Sequence, residues 1–492
     1  MTSLSILIDF GSTFTKVTAL DLSAARVVGI AQAPTTVQTD VQEGLLRALA
    51  LLEEQHALFH RIPSDLEILY GKVVFVSSSA AGGLRMAVVG LVPGLTVEAA
   101  NLAALGAGAK VVGSFSFKLS EKRIAEMEAL RPDMILLTGG TDGGDSQTLL
   151  HNANMLAHSA LNVPVIAAGN KAVADQVCQI LAQVGKEVKC VENVMPRPNT
   201  ISVEAAREEI RRLFMDKIIQ AKGLEKIQAL VPMVLPTPMA VLRGAVVSSQ
   251  GTGQFEGWGD LMVLDVGGAT TDVHSVCWEK CADRGIIPKG LPEPLAKRTV
   301  EGDLGIRYNA CNILSRVGPD KLYGDFSKVF PELAVPLEDF TGYIKEVSSE
   351  TSRVPQKNWH YAVDAILARV AIELAIERHV GRLERIYSKE GEIWLQYGKD
   401  LRETPTVICT GGIFIHNPFV DRILSQNDSG DGRYRVLRPK NPRIFIDQSY
   451  LLYAIGLLAE NYPDVAAKLF KEQIAGVEVA KCGDGERIET VT

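Results

Sequence analysis

Two short segments, 256 positions apart, carry the same plan. Asp9-Phe10-Gly11-Ser12-Thr13-Phe14-Thr15-Lys16 closes an apolar run from Leu4 to Asp9. Asp265-Val266-Gly267-Gly268-Ala269-Thr270-Thr271-Asp272 closes another, from Leu261 to Asp265. Each has a strand, an Asp, one residue, a Gly, small or hydroxyl-bearing residues, and a second strand. Each is followed later by a strand ending in Thr-Gly-Gly: Thr138-Gly139-Gly140 in the first half, Thr410-Gly411-Gly412 in the second. A lone Asp-x-Gly is commonplace. Two at strand ends, each with its own Thr-Gly-Gly, describe a duplicated unit and so a chain of two related lobes.

The chemistry of these bends is specific. Gly11, Gly267 and Gly268 let backbone N–H groups face phosphate oxygens with no Cβ in the way. The hydroxyls of Ser12 and Thr13, and of Thr270 and Thr271 after the small Ala269, add donors. Lys16 brings a positive charge to a β- or γ-phosphate. Asp9 and Asp265, at the strand ends, suit the waters of a hydrated Mg²⁺. A single hairpin of this kind reads as ordinary turn chemistry. Two facing each other would clamp a nucleotide polyphosphate, so ATP and Mg are the expected cofactors.

Composition removes other classes. The chain has 51 basic and 58 acidic residues, a net charge of −7, which gives no general attraction to nucleic acid or to an anionic membrane. Apolar residues make up 47%, too many for a disordered chain. The N-terminus lacks the basic head of a signal peptide, and the apolar run Val231–Val247 is broken by Pro232, Pro236, Pro238 and Arg243. With 7 Cys, an odd number, the expectation is reduced thiols in a cytoplasmic protein. There is no Gly-x-x-x-x-Gly-Lys-Ser/Thr loop and no Cys/His quartet.

Along the chain, strands at Lys72–Val76, Met134–Thr138, Val163–Ala167 and Val188–Glu192 alternate with helices, which predicts a layered α/β lobe. Residues 284–294 read as a loop, and a long helix is predicted from His360 to Arg385. Asp447 is expected to cap a helix running to about Asn461. The division expected is 1–250 for the first lobe, 251–465 for the second and 466–492 for a C-terminal tail. Leu137 to Asp145, rich in Gly and Asp, reads as a βα turn in preference to a second ligand loop. Cys277 and Cys281 are spaced poorly for a metal or cluster.

The two hairpins resemble the phosphate-binding hairpins of the actin/Hsp70/hexokinase ATPase superfamily. Leu235-Pro236-Thr237-Pro238 to Gly244 is similar to its first connecting helix, and Cys409-Thr410-Gly411-Gly412 to its adenosine motif. The resemblance implies an α/β fold of two actin-like ATPase lobes, with a duplicated mixed-sheet (ribonuclease H-like) core around a nucleotide cleft. It places Gly411 and Gly412 on the adenosine, and Glu301, in Val300-Glu301-Gly302-Asp303-Leu304-Gly305, at an adenosine-contacting helix start. Asp9, Asp265 and Asp272 are the implied catalytic carboxylates. Hsp70-type proteins carry Glu where this chain has Leu235. Loss of that water organiser lowers hydrolysis more than binding.

At finer grain, Ile8 to Lys16, Leu137 to Asp145 and Val300 to Gly305 together resemble the glutamate mutase (methylaspartate mutase) accessory protein family. The resemblance implies ATP-driven reactivation of an adenosylcobalamin-dependent mutase through cobalamin exchange, with that mutase as partner and ATPase turnover that is slow or partner-dependent. The alternative within the same fold is a small-molecule (sugar or carboxylic acid) kinase. A filament protein of the actin type is the third reading.

Overall fold

The computed structural model describes residues 4–36, 39–79, 84–107, 109–218, 227, 231, 234–278, 286–388, 391–424, 434–474 and 478–479. The chain opens with an antiparallel meander: β1 (Leu4–Phe10), β2 (Phe14–Asp21) and β3 (Arg26–Pro34). β4 (Val73–Ser78) then pairs in parallel with β1. β1 is buried on both faces beyond Leu4, as a central strand must be, which is why its sequence is a continuous apolar run without alternation.

After β4 the chain builds a separate compact unit, spanning Gly83–Gln220 with Gly290–Pro292. Its strands are β5 (Arg85–Gly90), β6 (Lys110–Ser116), β7 (Met134–Leu137), β8 (Val165–Ala167) and β9 (Val188–Cys190). They pair in the order β6-β5-β7-β8-β9, every pair parallel. That is the doubly wound order 2-1-3-4-5. The unit has its own core, with Ala87, Val89, Ile135, Leu137, Leu149 and Leu181 among its members. Cys178, on the helix Ala174–Gln183, and Cys190, on β9, are joined by a disulfide. The expectation of reduced thiols throughout fails for this pair, because the packed helix and strand bring their Cα atoms to 6.6 Å.

The other unit comprises Met1–Gly82, Ala221–Lys289 and Glu293–Thr492. β10 (Val234–Pro236) returns to pair with β4, giving the order β10-β4-β1-β2-β3. A second sheet uses β11 (Leu261–Val266), β12 (Thr271–Val276), β14 (Ala296–Glu301), β17 (Thr406–Thr410), β19 (Arg443–Ile446) and β20 (Glu478–Val479), in the order β14-β12-β11-β17-β19-β20. Apart from β20, the two sheets have identical connectivity: an antiparallel meander followed by two parallel strands. Equivalent residues share registers, Asp9 opposite Lys16 and Asp265 opposite Asp272. The fold is therefore mixed α/β with a duplicated ribonuclease H-like core, the actin-like arrangement. A third sheet is formed by β13 (Ile286–Lys289), β15 (Arg382–Ser388), β16 (Gly391–Tyr397) and β18 (Tyr434–Val436), in the order β13-β16-β15-β18.

Two helices join the duplicated sheets, Thr237–Gln250 and Leu452–Leu458. They cross backbone to backbone. A Cβ on Gly456 would lie 1.6 Å from the Ala240 carbonyl oxygen, and one on Gly244 would lie 2.4 Å from that of Leu452. Around them Leu7, Leu20 and Leu235 from the first sheet meet Val263, Val276 and Phe445 from the second in one apolar core.

Several expectations are revised. Both duplicated sheets lie in one compact unit, and the doubly wound unit, apart from Gly290–Pro292, falls inside the stretch 1–250 read as a single lobe. Its strands continue the preceding strand–helix alternation, so no composition shift marks the boundary. The segment 284–294 contains β13. The long helix is Asn358–His379, ending before Gly381, after which β15 begins. Asp447 lies before a shorter helix than expected. Residues 466–473 belong to the helix Pro463–Gln473, which buries Ala466, Ala467, Leu469 and Phe470; most of the remaining tail lies outside the described residues.

The helix crossing predicts that Gly456→Val lowers stability by about 3 kcal/mol or more, through overpacking against backbone that cannot yield. Gly342, in the helix Leu337–Ser349, has open space where a Cβ would go. Gly342→Ala should leave stability unchanged or raise it by up to about 1 kcal/mol. Thermal unfolding of the two variants checks both.

Candidate functional site

The two hairpin bends meet. A Cβ on Gly268 would lie 2.8 Å from the Thr13 methyl, so glycine there lets the second bend approach the first without displacing that side chain. The Tyr308 hydroxyl adds a contact, donating to the Ser12 carbonyl at 3.4 Å. Each bend is closed by one short bond: Gly11 N–H to the Phe14 carbonyl at 3.1 Å, and Gly267 N–H to the Thr270 carbonyl at 2.9 Å. The second bend is braced from behind. Arg307 and Tyr308 N–H both donate to the Gly268 carbonyl at 2.9 Å. Gly305 makes this possible, since a Cβ there would sit 2.2 Å from the Ala269 carbonyl carbon.

Asp9 is fully buried. Its Oδ1 accepts from Ser77 Oγ at 2.8 Å and from Thr237 Oγ1 at 2.6 Å, while Oδ2 has no partner. Burial raises its pKa, and Lys16 partly offsets that. Asp265 is pushed well up by burial, then by the neighbouring Asp272. Asp447, buried before the helix Leu452–Leu458, accepts from Leu451 N–H at 2.8 Å, Leu452 N–H at 2.9 Å and Thr410 Oγ1 at 3.0 Å. Lys16 answers this group of acids. Desolvation lowers its pKa to about 8, against the pull of Asp9, Asp265 and Asp447. Its Nζ lies 2.8 Å from the centroid of the Tyr450 ring, and Tyr450 holds a left-handed φ of 50° that aims the ring at β2. Several buried carboxylates around one ammonium form a charge set that a divalent cation would balance. The unpartnered Asp9 oxygen fits a metal-bound water better than it fits a closed protein core.

A cavity of about 520 Å³ opens beside these groups, within the usual range for small-molecule sites. Of the residues singled out from sequence, Thr13, Lys16, Asp265, Gly267, Gly268, Gly411 and Gly412 line it. Asp9 and Asp272 lie behind the bends on β1 and β12, both buried. Gly11, Ser12, Ala269 and Thr270 are half-buried in the bends themselves. Thr271 spends its hydroxyl on the Leu304 carbonyl at 2.8 Å, which makes it a brace of the second bend. Glu301 ends β14 in an ion pair with Arg378, which also grips Asp303 at 2.8 and 2.9 Å. The helix expected at that point begins only at Ala310.

The sequence reading missed the far wall. Arg307 and Asp364 form a bidentate pair at 2.6 and 3.1 Å, and both line the cavity with Tyr361, Ile413 and His416. They come from a turn and from the long helix, and no short motif announces them. Gly411 was legible: its φ of 118° and a would-be Cβ 2.3 Å from the Val266 carbonyl oxygen demand glycine. In the separate doubly wound unit, the Leu137–Asp145 loop is held by two asparagines from outside it. Asn170 accepts from Gly143 N–H at 3.0 Å, and Asn193 donates to the Gly140 carbonyl and to Asp142 at 3.0 and 2.9 Å. Cys277 is buried, and Cys281 lies outside the described residues. Among the described residues no His/Cys/Asp/Glu group is arranged to hold a metal by itself, and no helix is long and apolar enough to cross a membrane.

With this geometry in hand, the chain was compared with known proteins. The family model described as MutL protein matches residues 5–474. The chain belongs to that family. Protein MutL of Clostridium tetanomorphum is 42% identical over 478 residues, covering 96% of this chain and 99% of that relative. Among solved structures, a nucleotide-free acetone carboxylase is 11% identical with a TM-score of 0.39, covering 94% of this chain and 71% of the other. A ligand-bound xylulose kinase from Lactobacillus acidophilus is 12% identical with a TM-score of 0.30, covering 96% and 92%. Scores this low lend no weight, and the fold stands on the strand order above.

The lowered Lys16 pKa predicts a pH effect. A polyphosphate needs the charged ammonium, so nucleotide affinity should fall as pH rises through about 8, where Lys16 loses its proton. In Lys16→Arg, whose guanidinium stays charged, that fall should vanish. Titration with a fluorescent nucleotide across this range measures it.

Proposed function

We propose that this MutL-family chain is an ATP-binding accessory protein that reactivates an adenosylcobalamin-dependent glutamate (methylaspartate) mutase. The observation that carries the nucleotide half is the meeting of two equivalent glycine bends, Gly268 against Thr13, over the Asp9, Asp265 and Lys16 charge set. The client half rests on family membership.

In this reading Thr13, Lys16, Gly267 and Gly268 hold the phosphates, and Gly411 and Gly412 admit the adenosine. Asp9 and Asp265 hold the waters of Mg²⁺, which when bound neutralises charge on the phosphate oxygens. The two bends belong to different sheets, so a ligand gripped by both favours the closed cleft. Loss of the γ-phosphate removes part of that preference. A ligand shifts such an equilibrium only by its differential affinity for the two states. Closure and opening would be coupled to prying the mutase apart, so that damaged cobalamin leaves and fresh cofactor enters.

Turnover is slow or partner-dependent in this account. Leu235, at the position of the superfamily water organiser, sits 6% exposed in the apolar core between the sheets. Asp272 is the carboxylate that, after burial, does most to raise the Asp265 pKa, ahead of Asp9 and Asp447. Kinase chemistry is less well served. An acceptor hydroxyl needs a neighbouring base. In the adjoining cavity of about 390 Å³, which shares Lys16 and Tyr450, the one residue of general-base type among the described lining is His416, with no Asp or Glu beside it.

Asp9→Ala and Asp265→Ala should each abolish Mg-dependent ATP binding by calorimetry; unchanged affinity in both would refute the clamp. Glutamate mutase inactivated by damaged cobalamin should regain activity on addition of this protein, ATP, Mg²⁺ and fresh adenosylcobalamin, and should not with ADP. Rescue that proceeds equally without nucleotide counts against the switch. ATP turnover stimulated by a sugar or a carboxylic acid, and not by the mutase, would favour the kinase.

A further inference from the structure

The third sheet belongs to neither duplicated core, and one of its faces carries an ordered strip of rings and guanidinium groups. Register places Leu383, Arg385 and Tyr387 of β15 on the same face as Trp394 of β16 and Arg435 of β18. Arg435 lies 5.0 Å from the centroid of the Trp394 ring, and Trp394 sits directly opposite Arg385. Arg385 in turn lies 5.6 Å from the Tyr387 ring. Across the face, β15 with Arg385 and Tyr387 lies between β18 with Arg435 and β16 with Trp394, and the Arg435 guanidinium reaches over β15 to the Trp394 ring. Leu383 is buried and Trp394 half-buried, while Tyr387 is 75% exposed and Arg435 is exposed.

A sheet face that merely met water would need no such order. Large rings cost free energy in water, and natural surfaces seldom present them in a row. Trp, Tyr and Arg are the residues that dominate binding energy at protein interfaces. Stacking on a ring fixes each guanidinium and leaves its in-plane donors free, so less entropy is lost when a carboxylate docks bidentately. Among the described residues the one acid on this face is Glu392, 3.9 Å from Arg385, and the opposite face adds another Arg–ring stack, Arg382 at 5.3 Å from Tyr397.

We propose that this face docks an acidic segment of a partner protein. Its carboxylates pair with Arg385 and Arg435, and an apolar side chain between them rests on Trp394 and Tyr387. The charge distribution selects a protein over a nucleic acid. Two guanidinium groups on the face match a pair of carboxylates. A nucleic-acid strand brings a charge at every nucleotide, and it would approach a chain of net charge −7. In the reading proposed above the partner is the mutase, and that identification alone rests on the reading.

Two probes separate the surface from its client. The first is a short Glu-Leu repeat peptide, titrated into the full-length protein by fluorescence anisotropy. It should bind in a salt-sensitive way, weakened about tenfold or more by Arg385→Glu with Arg435→Glu, and comparably by Tyr387→Ser. ATP affinity, measured in the same samples, should stay unchanged and so reports that the variants fold. The second probe is purified glutamate mutase, which should lose affinity in the same variants. No peptide binding, or binding equal in wild type and variants, overturns the docking face. A uridylate oligonucleotide that binds in place of the peptide overturns the choice of partner class. If the peptide result holds while the mutase binds neither form, the face stands and the mutase reading falls.

Discussion

The ammonium of Lys16 is the point on which the architecture turns. It comes from β2 of the first sheet, lies on the ring of Tyr450, and is drawn by Asp9 of the first sheet and by Asp265 and Asp447 of the second. Its desolvation lowers its own pKa while burial raises those of the acids. A site in this condition is under electrostatic tension. It favours ligands that bring both positive and negative charge, as a metal–polyphosphate does. The cavity, the glycines at its rim and the bracing of the second bend are the means by which the fold keeps that charge set open to a ligand.

The same residues connect chemistry to mechanics. Asp9 is held by Ser77 and Thr237, and Thr237 begins the helix Thr237–Gln250. Asp447 holds the first turn of the helix Leu452–Leu458. Those two helices cross at Gly244 and Gly456 with no side chain between them. A change in charge at the carboxylates therefore bears on the start of both helices that join the sheets. Backbone-to-backbone packing leaves the crossing few alternative arrangements, which suits a small number of discrete states better than a continuous flexing.

Much of this was legible from sequence, and the reasons differ by element. The hairpins were readable because turn geometry demands glycine and because the pattern occurs twice. Gly411 carries its constraint locally, in a φ of 118°, whereas that on Gly268 comes from Thr13 and shows only in the fold. The duplicated sheet order followed from that repetition. The boundary of the doubly wound unit was not legible, because β5 and β6 continue the alternation of the lobe around them. The Arg307–Asp364 pair was invisible because its members lie 57 positions apart on elements that meet only in the fold. The Arg378 partner of Glu301 was equally invisible, lying 77 positions along the chain from the motif that marks the glutamate. Tyr450 was missed because nothing local marks a tyrosine that must adopt a left-handed backbone.

The central claim is that both bends grip a single triphosphate. The most direct measurement is a crystal structure with Mg²⁺ and a non-hydrolysable ATP analogue. The account predicts the phosphates between Thr13 and Gly268, the metal beside Asp9 and Asp265, and Lys16 drawn off the Tyr450 ring. Density for the nucleotide on only one bend, or elsewhere on the molecule, would contradict it.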